Sequence, residues 1–434
     1  EPAIAVDPRN PSRIAAAADP YLNPARILVT TSDDGGQTWS APLTVRPEGF
    51  AKSYDPVLQF AADGTLLVAG GASGSGQPHC QPGSAIFLAR VSGTTISYRL
   101  ARDARADGAF VDRAGFVLDR ERNKSYVAWT ESSGPGASCR GLPAASSAMV
   151  AIATDHAEFS PPERVPTSGF PAVFGTSLAI DRGGNLLVAM GEHEPGRRSR
   201  LTIATRQSSA FTSPEILAES ADLPFRLTGL GGLFAPIPSI TTSRTGSVAV
   251  AYAQPAPGGV APLVFVRTAQ APWQAATPPA QPGTMELFPR LAFDRAGRLW
   301  LLSAGLAGGN VSFSLRARDR EVWDEPVSVA AGPAGRYVEL GQSLGLAIST
   351  DRLALGLPVD RATDSALLVA TLDVTPPISS TTTTTQSRSP DVTPAKAAGG
   401  TKTAVVAVSV GAAVLVLMFG ANRRKRRRRR RRSR

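Results

Sequence analysis

A pair of apolar strands joined by a short polar turn occurs seven times along this chain, and this repeat limits the folds that it can adopt. The copies read AIAVDPRNPSRIAAAA, VLQFAADGTLLVAG, GFVLDRERNKSYVAW, SLAIDRGGNLLVAM, SITTSRTGSVAVAY, RLAFDRAGRLWLL and GLAISTDRLALGL. Seven turn residues mark the register, at spacings of 56, 56, 62, 62, 51 and 56: Asp7, Asp63, Asp119, Asp181, Ser243, Asp294 and Thr350. A unit of that length holds four strands, as a propeller blade does. The sequence therefore predicts an all-β fold, a seven-bladed β-propeller over residues 1–373.

A third apolar run in each unit is usually followed by an aromatic residue and then a proline two to five positions later. The aromatic residues of this series are Trp39, Phe159, Phe211, Trp273 and Trp323. We interpret the pattern as a strand C, a turn and an outer strand D, because an edge strand tolerates a residue that lacks an N–H group. With strands A and B from the hairpin, each predicted blade has four strands, of which A is innermost.

One turn between strands C and D carries a recognisable octapeptide, SDDGGQTW. Its defining positions match the pattern S-x-D-x-G-x-T-W: Ser32, Asp34, Gly36, Thr38 and Trp39. In such a turn a short polar side chain accepts bonds from nearby N–H groups, glycine adopts positive φ, and the tryptophan packs between sheets. The chain thus resembles the sialidase-like Asp-box proteins, also known by the bacterial neuraminidase repeat, over its first 370 residues or so. A chance octapeptide in another all-β fold is the alternative.

The composition changes abruptly after Asp373. Residues 374–402 are rich in Ser, Thr and Pro and lack the apolar residues needed to fold, which is typical of a disordered stalk. Residues 403–421 carry no charge and are long enough to cross a bilayer, so we expect a single transmembrane helix, with a buried core helix as the alternative. Residues 422–434 form an Arg-rich tail.

The tail determines both the charge balance and the expected topology. It holds ten Arg and one Lys, and the whole chain has a net charge of +11, so the rest of the chain is formally neutral. By the positive-inside rule the tail is cytoplasmic, where it contacts anionic lipid headgroups, and the propeller is extracellular on the cell membrane. The charge is therefore no evidence of nucleic-acid binding. Because the chain begins at Glu1 without Met, we also expect a removed signal peptide.

Two cysteines in an exported chain suggest one disulfide bond. Cys80 and Cys139 both fall in Gly/Pro/Ser-rich segments between strands B and C of adjacent units. We therefore predict a Cys80 to Cys139 bond that links the second and third blades on one face. Two free thiols are the alternative.

The two faces of the predicted propeller differ in their loops. The A to B turns are short, whereas the B to C and D to A connections on the other face are long and varied, so that face is where function is expected. Acidic residues precede strand A at similar positions in four units, with Arg and Tyr beside them; the predicted ligand-binding residues are Glu1, Tyr54, Asp55, Asp112, Arg113, Glu286 and Arg290. Such a ring could bind a sugar or a cation. Alternatively, these acids only accept backbone N–H bonds.

The resemblance to sialidases implies a catalytic alternative. Members of that family use an Arg triad, a Tyr nucleophile supported by a Glu and an Asp acid/base, and six blades. Tyr337 and Glu339 are the candidate nucleophile pair here and Asp55 the candidate acid/base. The family's F/Y-R-I-P motif is absent, since the corresponding place reads Glu1-Pro2-Ala3-Ile4. A six-bladed fold remains the alternative to seven.

These observations favour a surface-tethered propeller that acts as a non-catalytic binding or scaffold module for a glycan or a surface protein. An exo-acting glycoside hydrolase of the exo-α-sialidase type, with a diverged site, is the alternative. No cofactor is predicted, and no metal site either, because the three histidines have no ligand cluster of the required spacing.

Overall fold

All regular structure in the described part of the chain is β-strand, arranged in seven antiparallel sheets. The computed structural model describes residues 1–19, 26–74, 83–132, 145–154, 157–221, 237–257, 259–268, 271–333, 344–349, 352–361, 364–373, 405–410 and 413–419. Each sheet is one blade and is built from consecutive strands of the chain. The prediction of an all-β, seven-bladed propeller is confirmed, and the six-bladed alternative is wrong.

The first four blades follow one another along the chain. Blade 1 comprises β1 (Pro2–Val6), β2 (Ile14–Ala18), β3 (Ile27–Ser32) and β4 (Leu43–Val45). Blade 2 comprises β5 (Lys52–Phe60), β6 (Leu66–Ser73), β7 (Ala85–Ser92) and β8 (Thr95–Asp103). Blade 3 comprises β9 (Phe110–Asp119), β10 (Lys124–Ser132), β11 (Ser147–Thr154) and β12 (Glu163–Arg164). Blade 4 comprises β13 (Ala172–Ile180), β14 (Leu186–Glu194), β15 (Arg198–Gln207), β16 (Ala210–Phe211) and β17 (Glu215–Ala221).

The remaining strands form three further blades. Blade 5 comprises β18 (Ser239–Thr242), β19 (Val248–Ala256), β20 (Gly259–Arg267) and β21 (Gln274–Ala275). Blade 6 comprises β22 (Met285–Phe293), β23 (Leu299–Ala307), β24 (Asn310–Asp319), β25 (Val322–Trp323) and β26 (Val327–Pro333). Blade 7 comprises β27 (Gly345–Ser349), β28 (Arg352–Arg361), β29 (Asp364–Asp373), β30 (Val405–Val410) and β31 (Ala413–Phe419).

The hydrophobic core is divided among the junctions between neighbouring blades. Seven clusters of buried apolar side chains lie one at each junction. The cluster that closes the ring joins Ile4 and Ile14 of blade 1 to Leu367 and Val369 of blade 7. Burial of flat apolar faces between consecutive sheets is what the alternating pattern of each strand requires, and it brings the seven inner strands around a common axis.

The turns between strands A and B place the blades in register. In five blades the first residue of this turn donates its N–H to the carbonyl of the residue at the turn's end: Asp7, Ala61, Asp181, Ser243 and Asp294. In blade 3 the equivalent residue is Asp119, which pairs with Lys124 across the turn. We call these the marker residues; in blade 7 the last residue of β27, Ser349, is the equivalent. The markers chosen from the sequence were therefore two residues late in blade 2 and one late in blade 7. Asp63 misled because its carboxylate accepts the N–H of Thr65 at 2.8 Å and stabilises the turn from within it.

Four inner strands contain a β-bulge at the same distance from their markers. The sixth residue before the marker has positive φ in blades 2, 3, 4 and 6, namely Asp55 (54°), Arg113 (62°), Gly175 (75°) and Phe288 (53°). Left-handed backbone is uncommon for residues other than Gly and is held only where the surrounding structure imposes it. Such bulges re-aim side chains, and here they do so near the axis.

The octapeptide turn lies on the same face as the A to B turns, where Gly35 N donates to Ser12 O at 2.7 Å. Ser32 Oγ accepts the N–H of Gly36 at 2.8 Å, and Asp34 Oδ1 accepts the N–H of Thr38 at 2.9 Å. Trp39 packs between blades 7 and 1. These contacts are those expected of a turn stabilised by its own short polar side chains.

The backbone described at the C-terminal end differs from the expected helix over 403–421. Val405–Val410 and Ala413–Phe419 are strands; the second pairs with Asp364–Asp373 as the fourth strand of blade 7, and the first pairs with the second at the outer edge. A segment rich in Val suits an extended backbone, and the edge of β29 offers unpaired N–H and C=O groups. Among the described residues no helix has the length and apolar character needed to cross a membrane. The stalk over 374–402 and the tail over 422–434 lie outside the described residues.

Candidate functional site

A cavity of about 250 Å³ opens around the propeller axis at the ends where the inner strands begin. Its wall repeats with the blades, because the fourth residue before each marker lines it: Ala3, Val57, Gly115, Ser177, Ser239, Arg290 and Gly345. Six of these side chains are small or absent and leave the channel open, whereas Arg290 projects into it. Two residues closer to the N-terminal end of each inner strand, the sixth residues before the markers also line the cavity in four blades: Glu1, Asp55, Arg113 and Ile237.

The guanidinium of Arg113 lies at the centre of an acidic cluster. Its Nη1 is 2.6 Å from Glu1 Oε1 and 3.7 Å from Asp55 Oδ2, and its Nε is 3.6 Å from Asp112 Oδ2. The ring of Phe174 supports it from below, with the guanidinium carbon 5.4 Å from the ring centroid. We name Glu1, Asp55, Asp112 and Arg113 the acid cluster.

Asp19 extends the acid cluster on the side of blade 1. Its Oδ2 accepts the N–H of Asp55 at 3.3 Å, and its other oxygen contacts the amino group of Glu1. The N–H bond holds the residue that has the left-handed backbone. Asp19 therefore contributes to the conformation of Asp55 as well as to the negative charge.

Burial changes the acid–base behaviour of the cluster. Burial is the larger cause and repulsion from Glu1 the next, and together they raise the pKa of Asp55 well above its ordinary value. Burial also raises the pKa of Asp112. Burial opposes the charge on Arg113, but the carboxylates of Glu1, Asp55 and Asp112 reverse this effect and raise its pKa. The Asp55 carboxyl group hydrogen-bonds to Asp112. Because the titrations of these two acids are coupled, protonation of one favours ionisation of the other, and only the protonated form of Asp55 can donate a hydrogen bond from its carboxyl group.

Tyr54 lies behind the cluster rather than in the cavity. Its side chain is 3% exposed and packs over Gly71, where a Cβ would come within 2.3 Å of the ring. Burial, with the charges of Asp112 and Asp55, raises the pKa of its hydroxyl. Tyr54 therefore acts as a wall for the acid cluster, and it stays neutral.

Several polar residues in the channel wall connect neighbouring inner strands. Ser177 Oγ accepts the N–H of Ile240 at 3.2 Å, Ser239 Oγ accepts the N–H of Leu291 at 3.0 Å, and Arg290 Nε donates to Leu344 O at 3.1 Å. Burial lowers the pKa of Arg290 to about 10. Among the described strands, those of adjacent blades do not pair with one another, and these side chains instead bond to backbone N–H and C=O groups at the next inner strand. Their main role is therefore to stabilise the packing of neighbouring blades.

Among the described residues, two arginines line this cavity, and both are already engaged. Arg113 contacts three carboxylates, and Arg290 is bonded to a backbone carbonyl. Arg113 is therefore occupied by its carboxylates, Arg290 keeps only its terminal nitrogens for a ligand, and the acid cluster as a whole is more negative than positive. The geometry instead suits hydroxyl groups, which both donate to carboxylates and accept from a protonated acid or a guanidinium.

Glu286 does not join the acid cluster. Its carboxylate is 1% exposed in the core of blade 6, where Oε1 accepts from Arg316 Nη2 at 2.7 Å and from Ser303 Oγ at 3.2 Å. The corrected register explains this, because Glu286 is eight residues before its marker whereas Glu1 and Asp55 are each six before theirs. The prediction that all four acids share one position is wrong for Glu286, and Asp112 is one residue further out.

Two acidic residues at the end of β14, in blade 4, form structural contacts outside the acid cluster. Glu192 is fully buried and accepts bonds from Ser168 N at 3.0 Å and from Thr202 Oγ1 at 2.7 Å. Glu194 pairs at the surface with Arg197 and Arg198. The candidate nucleophile pair Tyr337 and Glu339 and the predicted disulfide Cys80 to Cys139 lie outside the described residues.

Sequence reasoning missed part of the site. Ser177, Ser239 and Gln59 are polar residues within otherwise apolar inner strands, and this interruption was the available signal. Gln59 bridges blades 2 and 3, since its amide donates to Phe116 O and accepts from Leu118 N, both at 3.1 Å. Asp19 is a further member of the site that the sequence does not reveal. No pattern in the sequence links it to Asp55.

The comparisons with known proteins are limited to the fold. No family model and no curated protein matches the chain. Among solved structures, a Hadza microbial sialidase is 13% identical, with 77% of this chain and 71% of that chain covered and a TM-score of 0.48. A Penicillium chrysogenum α-L-arabinanase complexed with arabinobiose is 16% identical, with 72% and 92% covered and a TM-score of 0.45. A polysaccharide lyase acting on ulvan is 10% identical, with 85% and 90% covered and a TM-score of 0.47. At these values the likeness carries no conclusion about chemistry.

Proposed function

We propose that this protein is a glycan-binding propeller whose axial cavity receives the hydroxyl groups of a neutral sugar. The observation that carries the proposal is the placement of Asp55 and Arg113, which two left-handed bulges direct into one cavity. Backbone strain of this kind costs about 1–3 kcal/mol per residue and is concentrated at functional sites. The same bulge recurs at Gly175 and Phe288, but in blades 2 and 3 it brings two oppositely charged side chains to one cavity.

The chemistry of the cavity matches a sugar in three respects. The guanidinium of Arg113 donates hydrogen bonds, Glu1 and Asp112 offer carboxyl oxygens that accept them, and Asp55, whose pKa is raised by burial, donates when it is protonated. Ile4 and Leu291 in the wall offer apolar surface to the C–H faces of a pyranose ring. A cavity of about 250 Å³ holds about eight water molecules, which the hydroxyl groups of one sugar unit would displace.

The test is binding of the full chain, in mild detergent, to an array of neutral and acidic glycans. We expect neutral glycans with a free non-reducing end to bind, and the Asp55→Asn variant to bind them about tenfold more weakly because its amide presents an NH2 group where the carboxyl group presents a second oxygen. Asp33→Asn is the matched control, because Asp33 is 81% exposed on the opposite face. Equal binding by both variants, or binding of acidic glycans alone, would exclude this use of the cavity.

A glycoside hydrolase is the second candidate. It is favoured by the neighbouring acids Asp55 and Asp112, because burial raises the pKa of both and a carboxyl group with a raised pKa can act as a general acid. Turnover of fluorogenic neutral glycosides that disappears in Asp55→Asn would establish it. A fluorogenic sialoside tests the sialidase type, for which Tyr337→Phe is the diagnostic variant. No turnover by the wild-type protein would leave the binding function.

The propeller is also proposed to be tethered to a cell membrane, outside the cell. The uncharged segment 403–421 and the Arg-rich tail support this proposal, as the octapeptide Ser32–Trp39 supports membership of the Asp-box class. Deletion of residues 403–434 should release the chain from membranes in alkaline extraction, with the melting temperature of the propeller unchanged within about 2 °C. A larger fall would show instead that Ala413–Phe419 is needed as the fourth strand of blade 7.

A further inference from the structure

The axial channel has a second opening on the turn face, and its lining differs from that of the acid cluster. This cavity measures about 610 Å³ and is surrounded by the turns between strands A and B. We name it the turn-face mouth. It lies at the far end of the channel, beyond the apolar side chains Leu58, Leu178 and Leu291 that line both cavities.

Four consecutive blades place an arginine at the same point of the turn-face mouth. The residue directly after the marker is Arg120 in blade 3, Arg182 in blade 4, Arg244 in blade 5 and Arg295 in blade 6. In blade 1 the same place holds Pro8, which also lines the mouth. The arginines therefore form an arc along one side of the mouth.

The charges of this arc are not neutralised by the acids of the same turns. Asp181 Oδ1 accepts the N–H of Asn185 at 2.8 Å, and both carboxylate oxygens of Asp294 bond to Arg298. These acids stabilise their turns. Within the described residues, no carboxylate lies within ion-pair distance of the three exposed arginines of blades 4 to 6, and no hydrogen bond fixes them: Arg182, Arg244 and Arg295.

The fourth arginine and its neighbours complete the mouth. Arg120 is fixed by donation from Nε to Phe60 O at 2.9 Å, which leaves its terminal nitrogens for other partners. Arg122, beside it, already pairs with Asp119 at 3.1 Å. The exposed acid Glu121, with its side chain 86% exposed, lies 4.0 Å from the same arginine, Arg122, and not beside the arginines of blades 4 to 6. The mouth therefore combines a concave shape with an excess of unpaired guanidinium groups.

We propose that the turn-face mouth is a second binding site, which takes a compact carbohydrate polyanion bearing sulfate or phosphate groups. The planar guanidinium fork matches the oxygen geometry of these groups, and several forks on an arc favour a ligand with several anionic groups. The concave mouth admits a small oligosaccharide, whereas a nucleic-acid duplex or a flat bilayer would reach only its rim. The two ends of the channel would then bind ligands of opposite character, neutral at the acid cluster and anionic at the turn-face mouth.

The experiment is arginine labelling of the full chain with phenylglyoxal, with and without sucrose octasulfate, followed by peptide mass spectrometry. A local readout is needed because the Arg-rich tail also attracts polyanions. We expect sucrose octasulfate to reduce labelling of Arg182, Arg244 and Arg295 by about fivefold or more. Arg164, an exposed residue of the outer strand β12, is the internal control and should be unaffected.

A double variant tests whether the arginines act together. In Arg182→Ala with Arg244→Ala, half-protection of Arg295 should need about tenfold more sucrose octasulfate, and both substitutions are at exposed turn positions that do not support the core. The proposal is overturned if the three arginines remain fully labelled while the tail is protected, or if Arg164 is protected equally. It is also overturned if inorganic sulfate at equal sulfate concentration, or a single-stranded oligonucleotide, protects them as well.

Discussion

Replacing Asp55 by asparagine should stabilise the propeller while it weakens ligand binding, because the wild-type carboxylate is costly to bury. Its attraction to Arg113, at 3.7 Å, is worth about 4–5 kcal/mol at an effective dielectric constant of 20. Opposing it are several kcal/mol of lost hydration and the repulsion from Glu1, Asp112 and Asp19. The raised pKa of Asp55 shows that the opposing effects exceed the attraction.

The variant leaves the rest of the cluster paired. Arg113 keeps Glu1 at 2.6 Å and Asp112 at 3.6 Å, so no cation is left without a partner. Asparagine also adopts the φ of 54° found at position 55 more readily than most residues. We therefore expect the free energy of unfolding at pH 7.5 to rise by about 1–2 kcal/mol.

The pH dependence of this difference provides a second check. The folded-state pKa of Asp55 is above its unfolded value, so the stability contributed by its protonated form is fully present below the unfolded pKa and is lost as pH rises through the folded pKa. The variant should therefore exceed the wild type most at neutral pH and least near pH 4, at about the unfolded pKa.

Urea unfolding of the full chain at both pH values, followed by tryptophan fluorescence, measures the difference. Asp33→Asn is the control, and we expect it to change stability by less than about 0.5 kcal/mol at either pH. Destabilisation by Asp55→Asn at pH 7.5, or a gain that does not depend on pH, would refute the account of the acid cluster given above.

Three further predictions concern stability. Asp34→Ala should lower the free energy of unfolding at pH 7 by about 1–2 kcal/mol, because Asp34 accepts the N–H of Thr38. Hydrogen bonds from Thr38 outweigh the effect of burial and lower the pKa of Asp34 to about 2. In urea titrations the stability advantage of the wild type should therefore disappear as pH falls through about 2. Glu286→Gln should cost about 3–5 kcal/mol by leaving Arg316 buried without its partner, and replacing both residues by Met should recover most of that loss in the same titrations. Gly175→Ala should destabilise the protein by about 1–3 kcal/mol, because alanine would have to adopt a φ of 75° and its Cβ would lie 2.8 Å from Ile237 Cγ1. The melting temperature measured by circular dichroism should fall; an unchanged value would contradict the assignment of a strained bulge at this residue.

The sequence predicted the architecture well because strand alternation and turn residues act locally. The number of blades and the hairpin in each follow from patterns a few residues long. The position of the site was predicted less well because it depends on register to a single residue. A turn acid two residues out of place, Asp63, was enough to assign Glu286 to the same ring as Asp55, and the bulges that direct Asp55 and Arg113 inward have no signature in a single sequence.

Charge pairing was also beyond the sequence. Arg113 was grouped with the acids only as a neighbour, and its role at their centre follows from contacts across blades 1, 2 and 3. The sequence shows an arginine directly after the marker in four units, but only the structure shows that these four arginines line one cavity. A single sequence thus predicts strands and turns, which depend on neighbouring residues, better than it predicts contacts between residues of different blades.

The arrangement of each blade from consecutive strands has a mechanical consequence. In the described part of the chain no strand of blade 7 is donated to blade 1, so the two blades are joined by side-chain packing such as that of Ile4 on Leu367 and not by a shared hydrogen-bond ladder. Pulling these two blades apart would expose apolar surface without breaking a backbone pair. The other six junctions are also joined by packed side chains, but the chain runs across each of them, so we expect blades 7 and 1 to separate first under load.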